Sequence, residues 1–103
     1  MIKKYNVKYS ELFYNDLNSI LIYIKCELEN PKAAINLFDE VMKAIINRSV
    51  SPSSYQKLYS NRKRKQLYYK ISVKNYTVFY VLNNSEMEVR RILYSRRNFD
   101  KLI

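Results

Sequence analysis

The stretch RRILYSRRN, residues 90–98, places four arginines around a single tyrosine. Guanidinium groups bind phosphate bidentately, and clustered cations lower the pKa of a neighbouring lysine or tyrosine. Such groups can cleave RNA, because cations stabilise the phosphorane formed when a 2′-hydroxyl attacks its phosphate and a proton carrier protonates the leaving oxygen. We therefore predict that Tyr94 is an acid, a base or a stacking platform, with a packing role as the alternative. The candidate phosphate clamp is Arg91, Arg96 and Arg97.

The chain lacks the residues that most other catalytic sites require. It has no histidine, no glycine and one cysteine, which excludes Cys/His zinc sites, Ser-His-Asp triads and glycine-rich phosphate loops. The nine carboxylates are scattered along the chain, which argues against a carboxylate site for two metal ions. We therefore expect no metal and no cofactor, with lysine, arginine and tyrosine as the reactive groups.

Basic residues also occur outside this stretch. The chain carries 19 basic residues against 9 acidic ones, a formal net charge of +10. Such an excess suits a polyanionic partner, either a nucleic acid or an acidic protein segment. Lys70 lies on the polar face of a predicted strand and is a further candidate for this chemistry. The other candidate nucleic-acid contacts are Lys63, Arg64, Lys65, Tyr68 and Lys74. A solvated loop is the alternative for the run 63–65.

The size and composition indicate a single domain over residues 1–103. With 48% hydrophobic residues, a chain of this length buries enough surface to fold alone. The longest apolar stretch, Ile20 to Ile24, is too short to cross a bilayer, and the first residues lack the pattern of a signal peptide. The single cysteine, Cys26, suits a reducing compartment. We therefore expect a soluble cytoplasmic protein that makes no contact with a membrane.

The first half of the chain predicts a strand followed by two helices. Alternation over residues 5–9 predicts the strand. Ser10 is a suitable N-cap for a helix over 11–28, and Asn30 for a second helix over 31–48. The apolar stripe of the first helix is Phe13, Leu17, Ile20, Leu21, Ile24 and Leu28. That of the second helix is Ala34, Leu37, Phe38, Val41, Ile45 and Ile46. The short connection makes the two helices an antiparallel hairpin.

The second half predicts strands only. Three segments predict strands in succession: 66–73, which alternates, 76–82, which is apolar on both faces as a central strand should be, and 87–94. Tight turns join them at Lys74–Asn75 and at 83–85, where asparagine takes the positive φ that glycine usually adopts. Arg91 interrupts an apolar face, which predicts either a charged group in that face or a register shift at a bulge. The predicted fold is α+β with the order β-αα-βββ: an antiparallel sheet packed against a helical hairpin, its other face meeting solvent or a ligand.

Five segments cover nearly the whole chain in order and form a specific pattern: YSELFYNDLNSILIYI, LENPKAAINLFDEVM, SPSSY, VKNYTVFYVL and VRRILYSRRNFDKL. This pattern resembles the RelE/ParE superfamily of bacterial type II toxin–antitoxin toxins. The resemblance implies the same β-αα-βββ fold and a toxin with a cognate antitoxin that is small, acidic and partly disordered. We expect an acidic antitoxin segment to bind near Arg91, Arg96 and Arg97 and to fold as it binds.

The resemblance implies one of two activities. RelE-like members cleave mRNA on the ribosome without metal, whereas ParE-like members poison DNA gyrase through protein–protein contact. Lys70 matches the strand lysine of RelE-like toxins, Arg97 matches the arginine of their closing motif, and Tyr94 stands where many relatives have histidine. Thr77 replaces a phosphate-binding arginine, and the segment NPKAA is similar to ParE-like members.

We predict a ribosome-dependent mRNA endoribonuclease in which Lys70 and Tyr94 share proton transfer, so that its partners are the ribosome and mRNA. Three alternatives stay open. The first is a ParE-like inhibitor of DNA gyrase, the second a catalytically inert member that binds only its antitoxin, and the third a plain RNA-binding domain.

Overall fold

The computed structural model describes residues 4–54 and 68–96, together with the backbone of residues 57–58. Within these residues the chain forms two α-helices and five strands. The helices are α1 (Glu11–Ile22), which continues as a π-helical turn (Tyr23–Glu27), and α2 (Pro31–Arg48). The strands are β1 (Asn6–Tyr9), β2 (Lys57–Leu58), β3 (Tyr68–Val73), β4 (Tyr76–Asn83) and β5 (Glu86–Tyr94).

Both helices begin at the residues that the sequence predicts. The Ser10 hydroxyl accepts a hydrogen bond from the Phe13 N–H at 3.1 Å, which satisfies a free donor of the first turn of α1. Asn30 Oδ1 accepts from the Ala33 N–H at 3.1 Å, and proline occupies the first position of α2. The segment after Ile22 differs from the predicted regular helix, because the Leu28 N–H reaches back five residues to the Tyr23 carbonyl at 3.2 Å.

The sheet has the strand order β1-β5-β4-β3-β2. β3, β4 and β5 are antiparallel neighbours, which confirms the predicted α+β fold with a β-αα-βββ core. β1 departs from the predicted all-antiparallel sheet, because it pairs parallel to β5. The intervening hairpin of helices carries the chain back across the sheet, as a parallel connection requires.

A register shift in β5 supports the predicted bulge. Phe79 pairs with Arg91, but the next residue of β4, Tyr80, pairs with Val89. Arg90 is therefore the extra residue of β5, and the alternation of side chains changes phase there. This shift lets Arg91 leave the face that holds Met87 and Val89, which lie in the core.

The helical hairpin packs on one face of the sheet, here called the helix face, and encloses the core. Among the described residues, eight side chains of this core are fully buried: Phe13, Val41, Ile45, Val78, Tyr80, Met87, Val89 and Ile92. The predicted stripes are wrong at three positions, because Leu28, Phe38 and Ile46 are 55%, 43% and 49% exposed. Leu28 follows the π-helical turn, which rotates it away from the stripe. Phe38 and Ile46 lie at the border of the apolar stripe of α2.

The opposite side of the sheet, here called the outer face, carries Tyr68, Lys70, Phe79, Val81 and Arg91. We predicted that it meets solvent or a ligand, and this is wrong at its centre, since Phe79 and Val81 are fully buried. Lys70 lies beside Phe79 in register and is exposed. The outer face therefore presents charge around a buried apolar centre.

The turns use residues with a Cβ where glycine is common. Asn84, between β4 and β5, has a φ of 54°, in agreement with the sequence prediction. Lys74, between β3 and β4, has a φ of 52°, and Glu29 and Ser51 are also left-handed. Asparagine tolerates this region, but other residues with a Cβ lose about 1–2 kcal/mol there, so the backbone is locally strained at Lys74, Glu29 and Ser51.

Lys74→Gly is expected to raise the free energy of unfolding by about 0.5–1 kcal/mol, because relief of strain exceeds the extra freedom of glycine in the unfolded chain. Urea denaturation followed by circular dichroism measures the change. Lys74→Ala is the matched control: it keeps the Cβ and removes the exposed ion pair between Lys74 Nζ and Glu40 (3.3 Å), which contributes little. Equal effects of both substitutions would contradict the strain argument.

Candidate functional site

The register of the sheet places the candidate catalytic residues on two different faces. Lys70, Phe79 and Arg91 lie in line across β3, β4 and β5. Val73, Tyr76 and Tyr94 form a second line across the same strands. Each of these residues is three positions from the member of the first line on its own strand. Because side chains alternate along a strand, the two lines point to opposite faces. Lys70 and Arg91 thus belong to the outer face, and Tyr94 belongs to the helix face.

Arg91 is held by a carboxylate of α1. Its Nε donates to Asp16 Oδ2 at 2.6 Å and its Nη2 donates to Asp16 Oδ1 at 2.9 Å. The two side chains are only 18% and 14% exposed. The hydrogen bond to Asp16 raises the pKa of Arg91 above its ordinary value, against the opposing effect of burial, so the guanidinium stays charged. This carboxylate occupies the Nε–Nη2 edge, one of the two edges through which a guanidinium can bind a phosphate bidentately.

Asp16 is the site residue that the sequence analysis missed. Besides Arg91 it accepts a hydrogen bond from the Ile92 N–H at 3.2 Å, at the edge of β5. A local signal does exist, because Asp16 lies three residues after Phe13 and next to Leu17, at the border of the apolar stripe. An acidic side chain at that border suggests a buried partner. The partner itself is 75 residues away.

The rest of the arginine cluster is divided. Arg90 donates from Nε to Glu88 Oε1 at 2.5 Å, an ion pair about one-third exposed. Arg96 is exposed just after β5. Arg97 lies outside the described residues, so its assignment stays a prediction. Two of the four arginines around Tyr94 are therefore paired with carboxylates of the same chain.

The remaining candidate contacts are spread over the surface. Lys70 is exposed, and its carbonyl accepts a hydrogen bond from Arg48 Nη1 at 3.0 Å. Tyr68 is half-buried on the outer face, two residues before Lys70. Lys74 lies in the β3–β4 turn beside Glu40. Outside the described residues lie Lys63, Arg64 and Lys65.

Three tyrosines meet at the end of the sheet where β4 begins and β5 ends. The rings of Tyr76 and Tyr94 pack edge to face, with centroids 5.8 Å apart and planes at 70°. Burial, then the nearby Tyr23 and Tyr94 hydroxyls, raise the pKa of Tyr76. Tyr23 and Tyr94 are 51% and 39% exposed. Local sequence patterns do not indicate this group, because its members come from three different elements.

A cleft of about 260 Å³ opens beside these rings, between α1 and the end of the sheet. We call it the tyrosine cleft, and its walls include Asp16, Ser19, Ile20, Tyr76, Ile92 and Tyr94. Asp16 contributes no free charge to it, since both carboxylate oxygens accept hydrogen bonds from Arg91. The cleft is therefore a mainly aromatic and aliphatic pocket at a basic end of the molecule.

A second, larger groove of about 460 Å³ lies between the two helices. Ile22, Ile35 and Phe38 line it, and all three are substantially exposed. In the described part of the chain, no three carboxylate or cysteine side chains come together to hold a metal ion. Neither α1 nor α2 combines the length and the apolar composition needed to cross a membrane.

Comparison with known proteins gives consistent results. Residues 7–99 match the sequence family described as "ParE toxin of type II toxin-antitoxin system, parDE". The chain is similar in structure to the chromosomal ParDE toxin–antitoxin system from P. aeruginosa, with a TM-score of 0.72 and 12% identity over 87% of this chain and 95% of that one. No curated protein sequence matches closely enough to count as a relative.

Two further solved structures share the fold. The archaeal RelE–RelB complex from Pyrococcus horikoshii OT3 has a TM-score of 0.53 and 18% identity, over 91% of this chain and 98% of that one. The E. coli DinJ–YafQ toxin–antitoxin complex has a TM-score of 0.51 and 15% identity, over 88% and 92%. At such low sequence identities these similarities establish the fold alone and do not transfer the activities of those proteins to this chain.

Proposed function

The chain belongs to the family of ParE toxins of type II toxin–antitoxin systems, and we propose that it acts by binding a target protein, DNA gyrase, rather than by cleaving RNA. The observation that carries the proposal is the separation of the candidate catalytic groups. Lys70 and Tyr94 lie on opposite faces of the sheet, whereas two groups that share a proton transfer must both reach the reacting atoms directly or through one water.

The charge pairing of Arg91 supports the same proposal. A phosphate clamp needs guanidinium groups whose donors are available to the ligand. Arg91 already donates from Nε and Nη2 to Asp16, so a phosphate that bound this edge would have to displace a carboxylate from a mostly buried ion pair. That exchange carries a cost which a solvated arginine does not have.

The surface of the molecule is suited to protein contact. Exposed tyrosine and arginine are the residue types that contribute most to protein–protein interfaces, and Tyr23, Tyr94 and Arg96 are exposed at one end of the sheet. The net charge of +10 accelerates association with an acidic partner. The cognate antitoxin of such a toxin is a second acidic partner, and Arg96 remains a candidate contact for it.

RNA cleavage on the ribosome is the second candidate. The arrangement that favours it is the line across the outer face, where exposed Lys70 and charged Arg91 flank Phe79. Arg97 and the basic run 63–65 would complete a phosphate-binding surface if they lay on the same face. The third hypothesis is a catalytically inert member that binds only its antitoxin. It predicts neither gyrase inhibition nor mRNA cleavage.

A gyrase assay and mRNA mapping separate these candidates. The purified toxin is expected to inhibit DNA supercoiling by gyrase and to cause gyrase-linked DNA breaks. Its induction in cells is expected to leave the 5′ ends of mRNA unchanged, because the proton-transfer groups do not meet in one site. The measurements are supercoiling of a relaxed plasmid and sequencing of mRNA 5′ ends.

The contrary outcome is equally well defined. Codon-phased mRNA cuts that fall about 10²-fold or more in Lys70→Ala, and that also disappear in Arg97→Ala, would contradict the proposal and assign RNA cleavage. Normal supercoiling together with intact mRNA would instead indicate a catalytically inert member that binds only its antitoxin. A toxin preparation that binds its antitoxin serves as the control for correct folding in every case.

A further inference from the structure

We propose that the tyrosine cleft is the surface through which this toxin contacts its target, and that the target supplies an acidic segment with one apolar or aromatic side chain. The inference rests on the proposed protein-binding function and deepens it by naming the contact surface. It starts from Tyr23, Tyr76 and Tyr94, which converge from three separate elements although none of them is part of the buried core cluster.

The size of the cleft limits what it can hold. Its volume of about 260 Å³ is below the roughly 300–1,000 Å³ of sites for cofactors and drug-sized ligands. It is large enough for a single aliphatic or aromatic side chain. Ile20 and Ile92 provide an apolar wall and Tyr76 an aromatic one, so an apolar anchor gains burial there.

The electrostatics of the cleft favour an acidic segment around that anchor. Asp16 is the acidic residue on the cleft wall, and its charge is matched by Arg91 at 2.6 Å, so it neither attracts a cation strongly nor repels an anion. The Ser95 N–H donates to the Asn75 carbonyl at 2.9 Å, which brings the end of β5 beside the β3–β4 turn. Lys74 and Arg96 are both exposed at this end. Because Lys74 pairs with Glu40 at 3.3 Å, the basic charge at the rim of the cleft comes from Arg96.

The ring geometry favours a protein segment over RNA. Unstacked bases bind best on flat aromatic platforms. The rings of Tyr76 and Tyr94 meet at 70° and so form a corner, which suits a branched or aromatic side chain inserted between walls. Buried tyrosine anchors surrounded by a polar rim are the usual arrangement at the centre of a protein interface.

The test measures gyrase inhibition by the toxin and four single variants. Tyr94→Ala removes a ring of the cleft wall, and Tyr23→Ala removes the exposed ring that lies near Tyr76. We call these two the cleft variants, and each is expected to weaken inhibition of supercoiling about 10-fold or more. Tyr14→Ala is the matched control, because Tyr14 is 55% exposed on α1 but lies outside the cleft, and its inhibition should equal that of the wild type. Arg96→Glu should weaken inhibition and reduce its dependence on salt.

Folding is checked separately by circular dichroism and thermal denaturation of each variant. Tyr23→Ala is the safer of the two cleft variants, since half of that side chain is already exposed. If the wild type inhibits gyrase and both folded cleft variants inhibit equally well, the inference is overturned while the proposed function stands. If the wild type does not inhibit gyrase, the proposed function fails and the inference fails with it. If the wild type cleaves mRNA and Tyr94→Ala does not, both the proposed function and the inference are overturned, and RNA cleavage is assigned instead.

Discussion

Replacing Tyr80 with alanine is expected to lower the free energy of unfolding by about 3–5 kcal/mol, as for other large aromatic side chains in protein cores. Tyr80 is fully buried, and its ring stacks on that of Tyr69 with centroids 5.1 Å apart. Its hydroxyl donates to the Pro52 carbonyl at 2.9 Å and accepts from Arg48 Nη1 at 3.2 Å. The substitution therefore opens a cavity and also removes a junction between α2, β4 and the segment that follows α2.

Urea denaturation measures this loss, and Tyr80→Phe separates its two parts. Phenylalanine keeps the ring and removes only the hydroxyl, so we expect a loss of about 1–3 kcal/mol from the buried Pro52 carbonyl that is left without its donor. The guanidinium of Arg48 lies 5.8 Å from the ring centroid and keeps that contact in Tyr80→Phe. A loss below about 1 kcal/mol for Tyr80→Ala would mean that the junction contributes little to stability.

Asp16→Ala is expected to destabilise the protein by about 2–4 kcal/mol, because it leaves the mostly buried Arg91 without its carboxylate. The substitution also removes the acceptor of the Ile92 N–H. Thermal and urea denaturation near neutral pH give the change.

Glu88→Ala is the matched control for Asp16→Ala. It removes an ion pair of similar length, between Arg90 and Glu88, whose side chains are about twice as exposed. An exposed pair contributes at most about 1 kcal/mol, so Glu88→Ala should cost much less than Asp16→Ala. Similar losses for the two variants would contradict the view that burial makes the Asp16–Arg91 pair important.

The elements that depend on neighbouring residues could be predicted from the sequence. Ser10 and Asn30 cap their helices through donors three residues away, so the sequence alone locates both helix starts. The three strands follow from local patterns, which are alternation in the first and an apolar run in the central one. Arg91, a charge within an apolar face, indicated the bulge as one of two alternatives. The parallel pairing of β1 with β5 could not be read in this way, since it joins segments about 80 residues apart.

The candidate site was harder to predict than the fold. The sequence identified the right residue types, but grouping Lys70 with Tyr94 required knowing which face each side chain takes. That face depends on the register across three strands and on the bulge at Arg90. The pairing of Arg91 with Asp16 depends on how α1 lies against β5, which local patterns do not specify. The tyrosine cleft has the same origin, because α1 and the ends of two strands form it together.

The contacts of α1 with β5 also determine how a partner segment can approach the arginine cluster. Beyond Val89, where β1 ends its pairing, the Ser10 hydroxyl donates to the Arg90 carbonyl at 2.7 Å and Asp16 accepts from the Ile92 N–H. These side chains take the places that a neighbouring strand would fill. An extended antitoxin segment that paired with the main chain at Arg90 and Ile92 would therefore displace both contacts. Recognition of the arginines through the side chains of the segment leaves these contacts intact, and the same cost applies to two toxin molecules that pair edge to edge there.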